Sequence, residues 1–144
     1  KSLNSHHSEK LYVRYNRTAN TLPIYNDIIS LLNRKSFRML IYHGDTDAML
    51  PVVSTVQSTT KIAVDNNMTD QGFTPAWHFF GDYAGSRTGY RSISGKISLD
   101  VLTVRGAGHS VPTALPDHAF QMINNFLFTK EDEAIDYSNP ILKH

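Results

Sequence analysis

Residues 37–51 read FRMLIYHGDTDAMLP. A short apolar run ends at Gly44, aspartates follow at 45 and 47, and Pro51 comes where a new helix can open. An apolar run of this length, closed by glycine, predicts a strand buried on both faces of a parallel sheet. Residues 99–106, LDVLTVRG, repeat the pattern and form the clearest strand of the chain, with His109 three residues beyond it. Open parallel sheets collect their functional groups just past the carboxyl ends of the strands. Asp47 and His109 both occupy that position.

The flanking segments fit the same architecture. Before the first strand, LPIYNDIISLLNRKS reads as a helix with Pro23 in its first turn and Ile24, Ile28, Leu31 and Leu32 on one face. After Pro51, VVSTVQSTTKIAVDN has helical spacing, although its β-branched residues are poor helix formers. AWHFFGDYAG and TGYRSISGKI predict an antiparallel hairpin with glycine-containing turns. PDHAFQMINNFLF predicts a last helix, with Ala119, Phe120, Ile123, Phe126 and Leu127 on one face. The order helix, strand, helix, hairpin, strand, helix defines an α/β fold with crossover helices. Residues 1–20 and the charged stretch 130–144 are expected to be peripheral or frayed.

The 144 residues are 40% hydrophobic and 19% charged, a balance that supports a packed core rather than disorder. The formal net charge is +1 and the 14 basic residues are dispersed, which gives no electrostatic case for nucleic acid as a partner. No apolar run approaches the ~20 residues of a membrane span. The first residue is Lys1, so the expected reading is one piece of a longer protein. The absence of cysteine points away from a disulfide scaffold. Two glycosylation sequons, at Asn16 and Asn67, point instead toward the secretory pathway. His6 and His7 are adjacent on a polar terminus with no cysteine or carboxylate at metal-ligand spacing nearby, and no cofactor is expected.

Two uses of Asp45, Asp47 and His109 are open from residue types alone. A carboxylate can fix the tautomer of a general-base histidine and stabilise the imidazolium that forms. Aspartates before a helix equally serve as caps, and a histidine after glycine can be a turn residue. His43, His78 and His118 read as strand-end, surface or half-buried residues. Trp77, Phe79, Phe80 and Tyr83 read more readily as core than as a substrate groove.

The longer stretches LIYHGDTDAMLP and LTVRGAGHSVPTALPDHAFQMINNFL resemble the carboxy-terminal third of the serine carboxypeptidase family. The acid loop there follows Gly-Asp-x-Asp, here Gly44 to Asp47, and the histidine loop follows the pattern found from Val104 to Pro112. The likeness covers roughly residues 37–128. It implies an α/β-hydrolase fold, with the chain as the carboxy-terminal segment of one domain, and release of carboxy-terminal amino acids from peptide or protein substrates. It further implies Asp47 as the triad acid, His109 as the base and Ser110 at the border of the substrate pocket. The family works in secreted or in lysosomal and vacuolar settings.

The family nucleophile lies in a G-x-S-x-G elbow, and no such motif occurs in these residues; Ser86 and Ser94 have the wrong glycine spacing. An acid and a base without a nucleophile cannot transfer an acyl group, so the isolated chain is expected to be inactive. The nucleophile is expected on the remainder of the domain. Acyl transfer from sugar esters by the same triad, and a non-catalytic binding or antigenic fragment, are the two alternative functions.

Overall fold

A computed structural model describes residues 22–32, 35–130 and 133–140. Its elements are α1 (Leu22–Leu32), β1 (Phe37–Gly44), α2 (Val52–Asp65), β2 (Thr69–Phe79), β3 (Asp82–Arg91), β4 (Ile97–Val104), a short α3 (Val111–Ala114) and α4 (Pro116–Phe128). The four strands form one mixed sheet in the order β1-β4-β3-β2, with helices against it, an arrangement of α/β-hydrolase type.

β1 and β4 pair in parallel with no offset, from Phe37 opposite Ile97 to Gly44 opposite Val104. Both strands therefore end at the same level, and the loops that follow them emerge side by side. The crossover between them carries α2 and the β2–β3 hairpin.

β4 is central and buried along almost its whole length. Its side chains alternate between two cores, as the period of a strand requires. Ile97, Leu99 and Val101 pack with Ile29 of α1 and with Ile62 and Ala63 of α2. Leu102 and Val104 pack on the other face with Trp77, Val111, Ala119, Met122, Ile135 and Tyr137. Burying a side chain of this size stabilises by roughly 1.5–3 kcal/mol, so the two clusters hold the sheet from both sides.

Four expectations need correction. β1 is an edge strand among the described residues: Leu40 packs on one core and Phe37, Met39 and Ile41 on the other, but these side chains are only half-buried rather than enclosed. The inward residue of α1 is Ile29, whereas Ile24 is exposed. The hairpin is longer and earlier than expected: it turns at Phe80 and Gly81, both with positive φ as a two-residue hairpin turn demands. The TGYR of the predicted second strand belongs to the end of β3, and Ser92–Lys96 form the turn into β4.

The fourth correction concerns the tail. Of its described part, residues 133–140, Ile135 and Tyr137 are buried. Tyr137 donates its hydroxyl to Asp100 Oδ2 at 2.8 Å, and its carbonyl accepts from Gln121 Nε2 at 2.9 Å. Arg87 donates from Nε and Nη2 to Asp100 Oδ1 at 3.0 and 2.7 Å, and from Nη1 to the Ile135 carbonyl at 3.1 Å. A buried carboxylate satisfied on both oxygens fixes this stretch across β3 and β4.

Candidate active site

Because β1 and β4 end in register, the acid loop and the histidine loop are joined through their main chains. Asp45 N–H donates to the Val104 carbonyl at 3.0 Å. Thr46 donates twice to the Ala107 carbonyl, from its N–H at 3.1 Å and its hydroxyl at 2.8 Å. Asp45 Oδ1 accepts the Gly106 N–H at 2.7 Å. Gly44 permits this approach, since a Cβ there would overlap the carbonyl oxygens of Ala107 and Gly108. Its role is close passage rather than a turn; the turn is at Gly106, with φ of 74°.

This frame brings Asp47 to His109. Asp47 Oδ2 lies 2.9 Å from His109 Nδ1, and its side chain is almost wholly buried while that of His109 is 56% exposed. The other oxygen, Oδ1, accepts the N–H groups of Met49 at 2.8 Å and Leu50 at 3.1 Å. The bond to His109 and the two N–H donors lower the carboxyl pKa to about 2, against an opposing desolvation. An ionised acceptor facing Nδ1 selects the tautomer with the proton on Nδ1. Among the described residues Nε2 of His109 has no hydrogen-bond partner.

Neither aspartate caps α2. The residue before the helix is Pro51, with no side chain bonded to the helix start, and Asp47 instead ties the turn that precedes it. The two aspartates thus divide their work: Asp45 holds the loops together and Asp47 engages the histidine.

Ser110 directly precedes α3 and bonds Thr113 Oγ1 through its hydroxyl at 2.8 Å, beside the exposed imidazole. Asn67 is exposed in the turn after α2, with φ of 50°. Asn16, His6, His7 and His144 lie outside the described residues. Trp77 is core and donates to the Thr103 carbonyl at 2.9 Å, whereas Phe80 and Tyr83 are exposed. His118 stacks on Phe79 at 4.1 Å between ring centres, and burial lowers its pKa. Among the described residues no three metal-ligating side chains cluster, and no helix is long and apolar enough to cross a membrane.

Sequence reasoning missed three members of the site. Thr46 and the Ala107 carbonyl join the loops, and His43, read as a strand-end residue, sends its Nε2 to within 2.7 Å of the Leu50 carbonyl. Its place immediately before the acid loop was the available signal.

A mixed sheet with an acid and a histidine on loops after adjacent parallel strands defines a protein of the α/β-hydrolase class. The comparisons give the family within it. The family model for serine carboxypeptidase matches residues 2–129. Serine carboxypeptidase ctsa-3.1 of Caenorhabditis elegans is 32% identical over 135 residues, which cover 90% of this chain and 23% of that protein. Serine carboxypeptidase-like 22 of Arabidopsis thaliana is 34% identical over 110 residues, 76% of this chain and 21% of that protein. The chain belongs to the serine carboxypeptidase family and spans about a quarter of the length of the curated relatives it matches.

Proposed function

We propose that this chain contributes the acid and the base of a Ser-Asp-His triad to a serine carboxypeptidase, with Asp47 as the acid and His109 as the base. The observation that carries this reading is the 2.9 Å contact between Asp47 Oδ2 and His109 Nδ1, made by a carboxylate whose other oxygen is held by two main-chain N–H groups. The nucleophilic serine and the groups that stabilise the oxyanion belong to the remainder of the same domain. His109 Nε2 takes the serine proton as Oγ attacks the carbonyl of the last peptide bond. It then gives that proton to the departing amino acid, and water releases the acyl group by the same route. Asp47 stays ionised throughout and stabilises the imidazolium. Ser110, small and neutral beside the base, borders the pocket for the departing residue. The isolated chain, lacking the nucleophile, turns nothing over.

The complete protein is expected to release the carboxy-terminal residue of a blocked dipeptide, and His109→Ala is expected to abolish that release. Full hydrolysis by the His109→Ala protein, or turnover of an acyl-glucose ester in place of the peptide, would remove the reading.

The same proposal places the protein in a secreted or a lysosomal or vacuolar setting. A carboxyl pKa of about 2 keeps the triad acid charged at the acidity of such vesicles. Asn67 is a suitable glycan acceptor because it is exposed in a turn. Native material is expected to lose mass on glycosidase treatment, and Asn67→Gln to remove one glycan; an unchanged mass would count against the secretory route.

A further inference from the structure

We infer that His43 is a positioning residue for the triad acid, a role that rests on the reading of Asp47 and His109 given above. His43 is the penultimate residue of β1, and its side chain is only 11% exposed. Both ring nitrogens are engaged. Nε2 lies 2.7 Å from the Leu50 carbonyl and Nδ1 lies 3.0 Å from Thr55 Oγ1. A carbonyl can only accept, so the neutral ring carries its proton on Nε2 and Nδ1 accepts from the Thr55 hydroxyl. The two bonds fix the ring plane from opposite sides, one to the acid loop and one to the first turn of α2.

The consequence reaches Asp47 through Leu50. The carbonyl of Leu50 is held by His43, and its N–H is the donor that reaches Asp47 Oδ1 at 3.1 Å. Leu50 is thus clamped between the two side chains, and the carboxylate is anchored by a turn that is itself anchored. Nε2 also lies 3.5 Å from Asp47 Oδ2, the oxygen that His109 uses. His43 thereby stands beside the same oxygen as His109, which limits rotation of Oδ2 away from the base. Without the imidazole, the turn over residues 48–50 keeps only the bonds of its N–H groups to Asp47 Oδ1, and the acid gains freedom. Misplacement of a catalytic group on the order of 1 Å costs about a hundred-fold in rate.

The test uses the complete enzyme. His43→Phe keeps the ring's bulk and removes both bonds; kcat is expected to fall about ten- to a hundred-fold, with KM for a blocked dipeptide nearly unchanged. His43→Gln restores an N–H the same number of bonds from Cα as Nε2, and is expected to recover most of the lost kcat. The amide of His43→Asn reaches only as far as the Nδ1 position, one bond short of the Leu50 carbonyl, and is expected not to recover it. The downfield proton resonance of His109 Nδ1–H should broaden in the Phe and Asn proteins and stay sharp in the Gln protein.

Equal kcat in the Gln and Asn proteins, or an unchanged kcat and resonance in the Phe protein, overturns the inference. If His43→Phe does not fold, the comparison of Gln with Asn decides alone. Asp47→Asn in the same preparation separates the two levels. If Asp47→Asn is inactive and His43→Phe fully active, only the positioning role fails. If Asp47→Asn is itself fully active, the triad reading fails and the positioning role falls with it.

Discussion

Asp47→Asn is expected to lower turnover of the complete enzyme by about four orders of magnitude, the loss that the same change causes in serine proteases of unrelated fold. The local geometry says why the loss should be so large. Asp47 Oδ1 is met by two N–H donors, from Met49 and Leu50. An asparagine must turn its carbonyl oxygen toward them, which leaves its NH₂ group facing His109 Nδ1. That nitrogen then has to accept, and the ring proton moves to Nε2. A base already protonated at Nε2 cannot take the proton of a serine. Substrate binding does not involve this pair, so KM should hold while kcat collapses.

Asp45→Asn should behave differently. Its Oδ1 accepts one N–H, from Gly106, and an amide oxygen preserves that bond. The change weakens a charge-assisted bond at an exposed residue, and about 1 kcal/mol of stability is at stake. Turnover should stay within several-fold of the parent. Measured together, a dead Asp45→Asn protein and a working Asp47→Asn protein would reverse the assignment. The pH response has a definite sign. The folded pKa of Asp47 is depressed from 3.8 to about 2, so its contribution to stability is present above pH 4 and is lost as pH falls toward 2.

The parts of this fold that were legible in the sequence are those set by local chemistry. β4 announced itself because a central strand has to be apolar on both faces. α4 was legible as a helix but its inward face was not: Phe120 and Leu127 of the expected face are exposed, while Gln121, Met122 and Asn125 are buried beside Ala119. Asp47 and His109 were legible because each follows a glycine-closed strand. The hairpin was not. β2 opens in the polar run Thr69-Asp70-Gln71-Gly72, slips register after Asp70 and again after Thr74, and carries Pro75, as an edge strand tolerates. None of this gives a clean alternation. The joining of the two loops was hidden for another reason: its main acceptor is the carbonyl of Ala107, and a main-chain oxygen leaves no mark on residue identity.

The tail was misread because its partners are remote, and this leads to the second large effect. Asp100→Ala is expected to destabilise the complete protein by about 3–5 kcal/mol, the usual cost of removing one partner of a buried ion pair. Asp100 is 4% exposed, and its loss leaves Arg87 without its carboxylate and Tyr137 with an unpaired hydroxyl in the core. Amide exchange over residues 133–140 should rise most, because Arg87 also holds the Ile135 carbonyl and its guanidinium lies 5.3 Å from the centre of the Tyr137 ring. Tyr137→Phe removes a single bond to the carboxylate and should cost less, about 1–3 kcal/mol. Burial and the neighbouring Asp100 charge hold the Tyr137 phenol well above its ordinary range. The stability it contributes is therefore complete below pH 10 and erodes as pH rises beyond that. Replacing Arg87 by Met and Asp100 by Leu together removes both charges at once, and should recover much of the loss that Asp100→Ala causes alone. A denaturation midpoint unmoved by Asp100→Ala, with slow exchange retained over 133–140, would mean that Ile135 and the Tyr137 ring hold the tail by apolar packing alone.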